Sequence, residues 1–208
     1  METSNGLEIP EGLGEVCTPQ RTALVVYDMQ VGIIRQINNG PEIVGRVKTV
    51  VHAARAAGLR VFFMRHMSLP RELMGVSQLR MAMAWQRVKT VAEVYPWFLR
   101  DSPGFPLVPE LTPLPSEAIF DKITMSAFEG TPLDVTLRDC GINSFIIVGV
   151  AMEIGTDRWR LEPTRHRRMR LSDPEKQAHA AKRSAASLCA VCLAFHPRHC
   201  VATRCAAR

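Results

Sequence analysis

The stretch Thr22-Ala-Leu-Val-Val-Tyr-Asp-Met-Gln30 is a short apolar run closed by a carboxylate, and its reading decides the fold. Bounded by polar residues and too short for a helix, it has the pattern of a buried parallel strand. Asp28 stands at its carboxyl end, where open α/β sheets place their ligands. Working outward, Ile43, Val47, Val50, Val51 and Ala54 recur at helical spacing over residues 42–57, and Gly58 fits a helix stop. Residues 59–64 then form a second apolar run, so the order is strand, helix, strand. Such a unit calls for a right-handed crossover and a parallel sheet.

The same punctuation continues downstream. Residues 118–120 make a short strand before Lys122, and residues 144–148 make another, rich in Ile and Val. Between them Thr131-Pro132-Leu133-Asp134 is a helix start, with Thr as cap, Pro at the first position and an acid near the amino end. Gly141 is placed to end that helix. Residues 32–40 are expected to form a loop and a short helical turn folding over the site. Residues 67–115, with two Trp, several Met and repeated Pro, are expected to wrap the surface irregularly and to supply a pocket or a subunit contact.

Size and composition bound the answer. The 208 residues suit one α/β domain, since domains run to about 100–200 residues. A hydrophobic content of 47% and a charged content of 22% belong to a globular chain. No apolar run reaches the roughly 18 residues that span a bilayer, and the acidic start Met1-Glu-Thr-Ser-Asn5 lacks the pattern of a secretory signal. A cytoplasmic location without membrane partners is the expectation.

Three separated pieces carry the chemistry: the strand ending Asp28-Met29-Gln30, the stretch Lys122-Ile-Thr-Met-Ser-Ala-Phe-Glu-Gly-Thr-Pro-Leu133, and Ile146-Ile-Val-Gly-Val-Ala-Met-Glu-Ile-Gly155. Taken singly, Asp28 could be a turn or capping carboxylate and Lys122 a surface cation. In this order and separation the three resemble the isochorismatase-like hydrolases, a superfamily that includes the nicotinamidases and other cysteine hydrolases. The resemblance covers roughly residues 18–156. It implies a three-layer α/β/α fold with a central, mostly parallel sheet, and a site built on Asp28 and Lys122. A lysine beside a partly buried aspartate favours the ionised carboxylate, orients it and leaves the pair ready for proton transfer.

The family pattern Gly-x-Ala-x-x-x-Cys puts a cysteine nucleophile at the position that Gly155 holds here. Cys17 and Cys140 match no elbow, so thiol catalysis is not expected. Some members of the family with Gly at this point hydrolyse a vinyl ether without a covalent intermediate. On that reading Asp28 is the general acid, Lys122 orients it, and Gly155 leaves room for substrate and water. Val150 and Ala151, in the Gly-x-Ala turn, would line the substrate. Arg65 could receive a substrate carboxylate, although an ordinary salt bridge is its alternative. The nicotinamidase metal site needs an Asp and a pair of His, and His66 stands without them, so neither a metal nor another cofactor is expected.

The ending has a different composition. Residues 157–208 carry a net charge of +8 against −2 for the rest, together with four of the six Cys and four of the six His. Three segments follow: a lead-in at 1–17, a hydrolase domain at 18–156 and a basic Arg/Cys/His-rich tail at 157–208. The tail has the composition of a GC-rich gene read in a shifted frame, and a chain so ended would leave the sheet a strand short, with an apolar edge exposed. Zinc binding through Cys189, Cys192, His196, His199, Cys200 and Cys205, and phosphate contacts through the Arg run, are the functional alternatives. Neither the spacing nor the aromatic content favours them, and nucleic acid is not an expected partner.

The expectation is therefore a hydrolase of a small metabolite, working through Asp28 and Lys122 without a thiol and assembling as a homo-oligomer. Amide hydrolysis in the nicotinamidase manner, and a catalytically silent binding protein on the same fold, are the alternatives.

Overall fold

The computed structural model describes residues 2–9, 11–150, 191–195 and 200–203. Its first elements are β1 (Glu2–Ser4), β2 (Leu7–Ile9), α1 (Leu13–Val16), β3 (Thr22–Tyr27), α2 (Val31–Ile34), α3 (Gly40–Ala56) and β4 (Arg60–His66). There follow α4 (Val76–Gln86), β5 (Ala118–Lys122), α5 (Leu133–Asp139), β6 (Ser144–Gly149), β7 (Val191–Phe195) and β8 (Cys200–Thr203).

All six residues of β3 are buried, as an apolar run at the centre of a sheet requires. The strand order is β5-β4-β3-β6-β7-β8. The pairs β5–β4, β4–β3 and β3–β6 are parallel, so the expected α/β fold is the one observed. Side chains alternate between the two faces of the sheet. Leu24, Val26, Val61, Phe63 and Val148 meet Val47 and Val51 of α3 on one face. Ala23, Val25, Phe62, Met64 and Ile147 meet Leu133 and Leu137 of α5 on the other. Helix, sheet and helix make the three layers, and each large apolar side chain buried among them contributes about 1.5–3 kcal/mol.

The chain visits β3, then β4 and β5 on one side, and returns to place β6 on the other. The order therefore reverses between β3 and β6, and a crevice forms at their carboxyl ends. Asp28 leaves β3 at that crevice, and Val150 leaves β6 there. Gly149 makes the approach possible. Its φ is 140°, and a Cβ there would stand 2.0 Å from the Tyr27 carbonyl oxygen.

Four expectations are corrected. The lead-in is not irregular throughout: β1 and β2 pair antiparallel around Asn5-Gly6, with φ of 53° and 76°. Two positive φ values in a two-residue loop are the type I′ hairpin geometry that Asn-Gly favours. The segment 67–115 contains the helix α4, built from Leu, Met, Ala, Gln and Arg with no Gly or Pro inside. No residue of α4 is fully buried, which is why its sequence shows no apolar stripe. Strand β5 runs two residues beyond 120 and takes Lys122 into the sheet. Finally, β6 is not left as an open edge, because β7 pairs antiparallel with it and β8 with β7.

Helices α3 and α5 end at the expected places, with Gly58 and Gly141 at φ of 75° and 70°. At the start of α5 the Thr131 hydroxyl accepts the Leu133 N–H at 3.3 Å, although Pro132 occupies the cap position itself. Replacing Gly149 by alanine is expected to cost about 3 kcal/mol or more, since the new methyl meets backbone that cannot swing away. Denaturant unfolding of the G149A chain measures it; an unchanged midpoint would contradict the close approach of β3 and β6.

Candidate active site

Strand β5 lies two strands from β3, roughly 10 Å at ordinary sheet spacing. Lys122 closes that distance. It is the last residue of β5, its register partner on β4 is His66, and its side chain passes Tyr27 with Nζ 4.3 Å from the ring centroid. Nζ then donates to Asp28 Oδ2 at 2.9 Å. The Lys122 side chain is 0% exposed and that of Asp28 5%. Nζ also lies 3.4 Å from the Thr124 carbonyl oxygen.

Asp28 is held by its backbone. Its φ is 54°, a left-handed value that aspartate tolerates better than most residues, and it turns the chain out of the sheet. The Asp28 N–H donates to Met64 O at 3.0 Å and its carbonyl accepts the Gln30 N–H at 2.8 Å. Oδ1 is buried and has no hydrogen-bond partner among the described residues. One carboxylate oxygen is thus paired and the other is available. Burial pushes the Asp28 carboxyl above its ordinary value, against the opposite pull of Lys122. A carboxyl so placed can hold a proton and give it to a group that arrives at Oδ1.

The neighbours fix this pair in place. Gln30 is completely buried and spends its whole amide: Nε2 donates to His66 O at 3.0 Å and Phe105 O at 2.8 Å, while Oε1 accepts the His66 N–H at 2.6 Å. It therefore ties the ends of β3 and β4 to the loop at 105. The Tyr27 hydroxyl donates to Met125 O. Burial, followed by the Asp28 charge, lifts the Tyr27 pKa well above its usual value, so the ring facing Lys122 stays a neutral phenol. Ser126 serves the loop: its Oγ accepts the N–H groups of Phe128 and Glu129 at 3.2 and 3.3 Å.

His66 completes the wall beside Lys122. Burial, reinforced by the Lys122 charge, lowers its pKa to about 3, so the imidazole is neutral near pH 7. Its Nδ1 is buried without a hydrogen-bond partner among the described residues. From the sequence alone, His66 is set aside as a metal ligand, and Tyr27 and Gln30 are assigned no role. For Tyr27 the signal was its place next to Asp28, and for Gln30 its two-residue offset from the same carboxylate.

The structure thus brings Asp28 and Lys122 together and takes Arg65 elsewhere. In the β4–β5 register Arg65 pairs with Asp121, one position from His66 and Lys122 and so on the opposite face. Its guanidinium makes a bidentate ion pair with Asp121 at 2.7 and 3.1 Å and covers the Phe105 ring at 4.2 Å. Val150 is 5% exposed, at the crevice, and its N–H donates to Tyr27 O at 3.2 Å. Ala151 and Gly155 lie outside the described residues, as do Cys189, His196, His199 and Cys205 of the suggested zinc cluster. Among the described residues no three His, Cys, Asp or Glu side chains gather so as to hold a metal ion, and no helix is long and apolar enough to cross a membrane.

Comparison with known proteins identifies the family. The family model described as the isochorismatase domain matches residues 22–158, and the chain belongs to that family. It is 26% identical over 166 residues to the ureidoacrylate amidohydrolase RutB of Pantoea ananatis, covering 70% of this chain and 63% of that protein. The RutB of Cronobacter sakazakii is 28% identical over 160 residues, with 70% and 68% covered. Among solved structures, a cysteine hydrolase from Pseudomonas syringae pv. phaseolicola superposes with a TM-score of 0.54 at 27% identity, covering 66% of this chain and 62% of that one. An isochorismatase family protein from Burkholderia thailandensis gives 0.50 at 29% identity, covering 67% and 69%. The chain therefore spans just under two thirds of the Pantoea ananatis protein.

The buried neutral His66 links stability to pH. Between its unfolded value of about 6.5 and its folded value of about 3, the unfolded chain binds a proton that the folded chain refuses. Stability contributed by His66 is complete above about 6.5 and falls by about 1.4 kcal/mol per pH unit below it. Denaturant midpoints from pH 7 down to pH 5 should show this slope in the parent chain and a flatter one in His66→Phe. Equal slopes would contradict the burial of a neutral imidazole.

Proposed function

We propose that the chain hydrolyses a small metabolite, with Asp28 as the acid-base group and Lys122 as the cation that orients it, without a thiol nucleophile. The carrying observation is the buried contact of Lys122 Nζ with Asp28 Oδ2 at 2.9 Å, which leaves Oδ1 buried and unpaired. Membership of the isochorismatase family supports the reading, and so does the glycine at residue 155, which has no sulfur to offer.

For a vinyl ether the steps balance as follows. Protonated Asp28 gives its proton from Oδ1 to the terminal alkene carbon, and the double bond's electrons form the new C–H bond. The cation left behind is shared between carbon and the ether oxygen. Asp28, now ionised, is stabilised by Lys122 and accepts a proton from the water that adds to the carbon. In the collapse of the hemiketal Asp28 gives that proton to the departing ether oxygen and takes the hydroxyl proton as the C=O bond forms, so the alcohol leaves and the acid is restored. Burial assists the first step by shifting the carboxyl toward its protonated form, and Lys122 assists the second by stabilising its anion.

A second reading comes from the relatives. Both RutB proteins are named as amidohydrolases of ureidoacrylate, so amide or ureide cleavage is the alternative substrate chemistry. Here Asp28 would act as base toward a water molecule and be needed in its ionised form.

The pH profile separates the two. With Asp28 as the acid, kcat/KM falls tenfold per pH unit as pH rises through its raised pKa; with Asp28 as the base, activity rises over the same range. A panel of vinyl ethers, simple amides and ureido acids supplies the substrates. Asp28→Asn should lower kcat by about 100- to 10,000-fold in protein shown by circular dichroism to be folded. Unchanged turnover in that variant would overturn the proposal.

A further inference from the structure

A cleft lies beside the site and shares His66 with it. Its walls are the end of β4, one side of α4 and the segment that carries Trp97. Met74, Met81, Trp85 and Trp97 make it apolar, and thioethers and ring faces of this kind receive flat, polarisable groups. The His66 ring is set edge-on to Phe98 and Trp85, with centroids 5.8 and 6.3 Å away, so its plane is fixed.

Two of the lining residues carry a buried side-chain atom that is unpaired among the described residues: Nδ1 of His66 and Oε1 of Gln78. Gln78 has its amide nitrogen committed to the Ile123 carbonyl at 3.1 Å, which leaves the oxygen as an acceptor. That bond also ties α4 to the residue following Lys122. No Lys, Arg, Asp or Glu lines the cleft among the described residues. A charged group entering it would lose hydration and gain no counter-charge. A neutral group carrying a donor would satisfy atoms that are otherwise orphaned.

We propose that this cleft is the subsite for the flat, neutral part of the substrate, bearing an N–H or O–H donor to Gln78 Oε1 and a polar atom facing His66 Nδ1. The assignment rests on Asp28 and Lys122 being the reacting centre, because His66 is the wall that the cleft shares with Lys122. It sets the substrate class apart from the carboxylate expected at Arg65, whose guanidinium is held by Asp121 on the other face of β4.

Two of the three Trp residues line the cleft, so intrinsic fluorescence reports on it. The full chain is titrated with benzamide, benzoate and toluene. Benzamide should change the fluorescence saturably and bind at least about tenfold more tightly than benzoate. Ala82→Phe, which fills the cleft from α4, should abolish the response. Gln78→Leu should weaken benzamide about five- to tenfold, the value of one hydrogen bond, and leave toluene unaffected. Benzoate binding as tightly as benzamide, no saturable response, or affinities untouched by both variants would overturn the proposal. Asp28-dependent turnover without any preference for benzamide would sink this assignment and keep the catalytic one. Benzamide binding that follows the predicted pattern, in protein inert toward the whole substrate panel, would do the reverse.

Discussion

A lysine that must cross a strand to reach its carboxylate constrains the whole carboxyl end of the sheet. Asp28 and Lys122 belong to strands that do not touch, and the Nζ–Oδ2 distance of 2.9 Å exists because β4 holds β3 and β5 at fixed spacing. Removing both groups from water costs several kcal/mol for each ion, which only good geometry repays. That geometry is supplied from several sides. The left-handed Asp28 backbone aims the carboxylate, the Tyr27 ring lies under the ammonium, and Gln30 pins the end of β4 between the two strands. Gly149 lets β6 close against Tyr27 on the other flank. Burial then does chemical service, because the same desolvation that raises the Asp28 pKa keeps His66 neutral.

Much of this was legible in the sequence, and the failures have physical causes. The strands around Asp28, the helix at 40–56 and the stops at Gly58 and Gly141 follow from apolar spacing and from residues that tolerate positive φ. The Asn5-Gly6 turn signal stands in the sequence too, but its two strands are only three residues long, too short for an alternation to mark them as strands. Helix α4 has good helix formers and no buried stripe; without the stripe, composition alone did not announce it.

At the site, the partnership of Asp28 with Lys122 came from the family pattern rather than from local residues. Strand parity could have supplied part of it. Ala118, Phe120 and Lys122 alternate with Ile119 and Asp121, and Phe120 packs on the α5 side of the sheet. Extending the strand to residue 122 places the lysine on that inner face and Asp121 on the other, opposite Arg65. The same parity shows why Arg65 does not reach the site. The unpaired oxygens and nitrogens of Asp28, His66 and Gln78 are a different matter: they are properties of three-dimensional packing, and no spacing in the chain encodes them.

The central claim is that Asp28 is a buried acid restrained, but not overcome, by Lys122. Carboxyl carbon NMR of the full chain, titrated in the parent and in Lys122→Met, measures it directly. The account predicts that Asp28 titrates above the ordinary aspartate value of about 3.9 in the parent, and higher still once the lysine charge is gone. An Asp28 that titrates at or below the ordinary value in the parent, or that does not move in Lys122→Met, would contradict it.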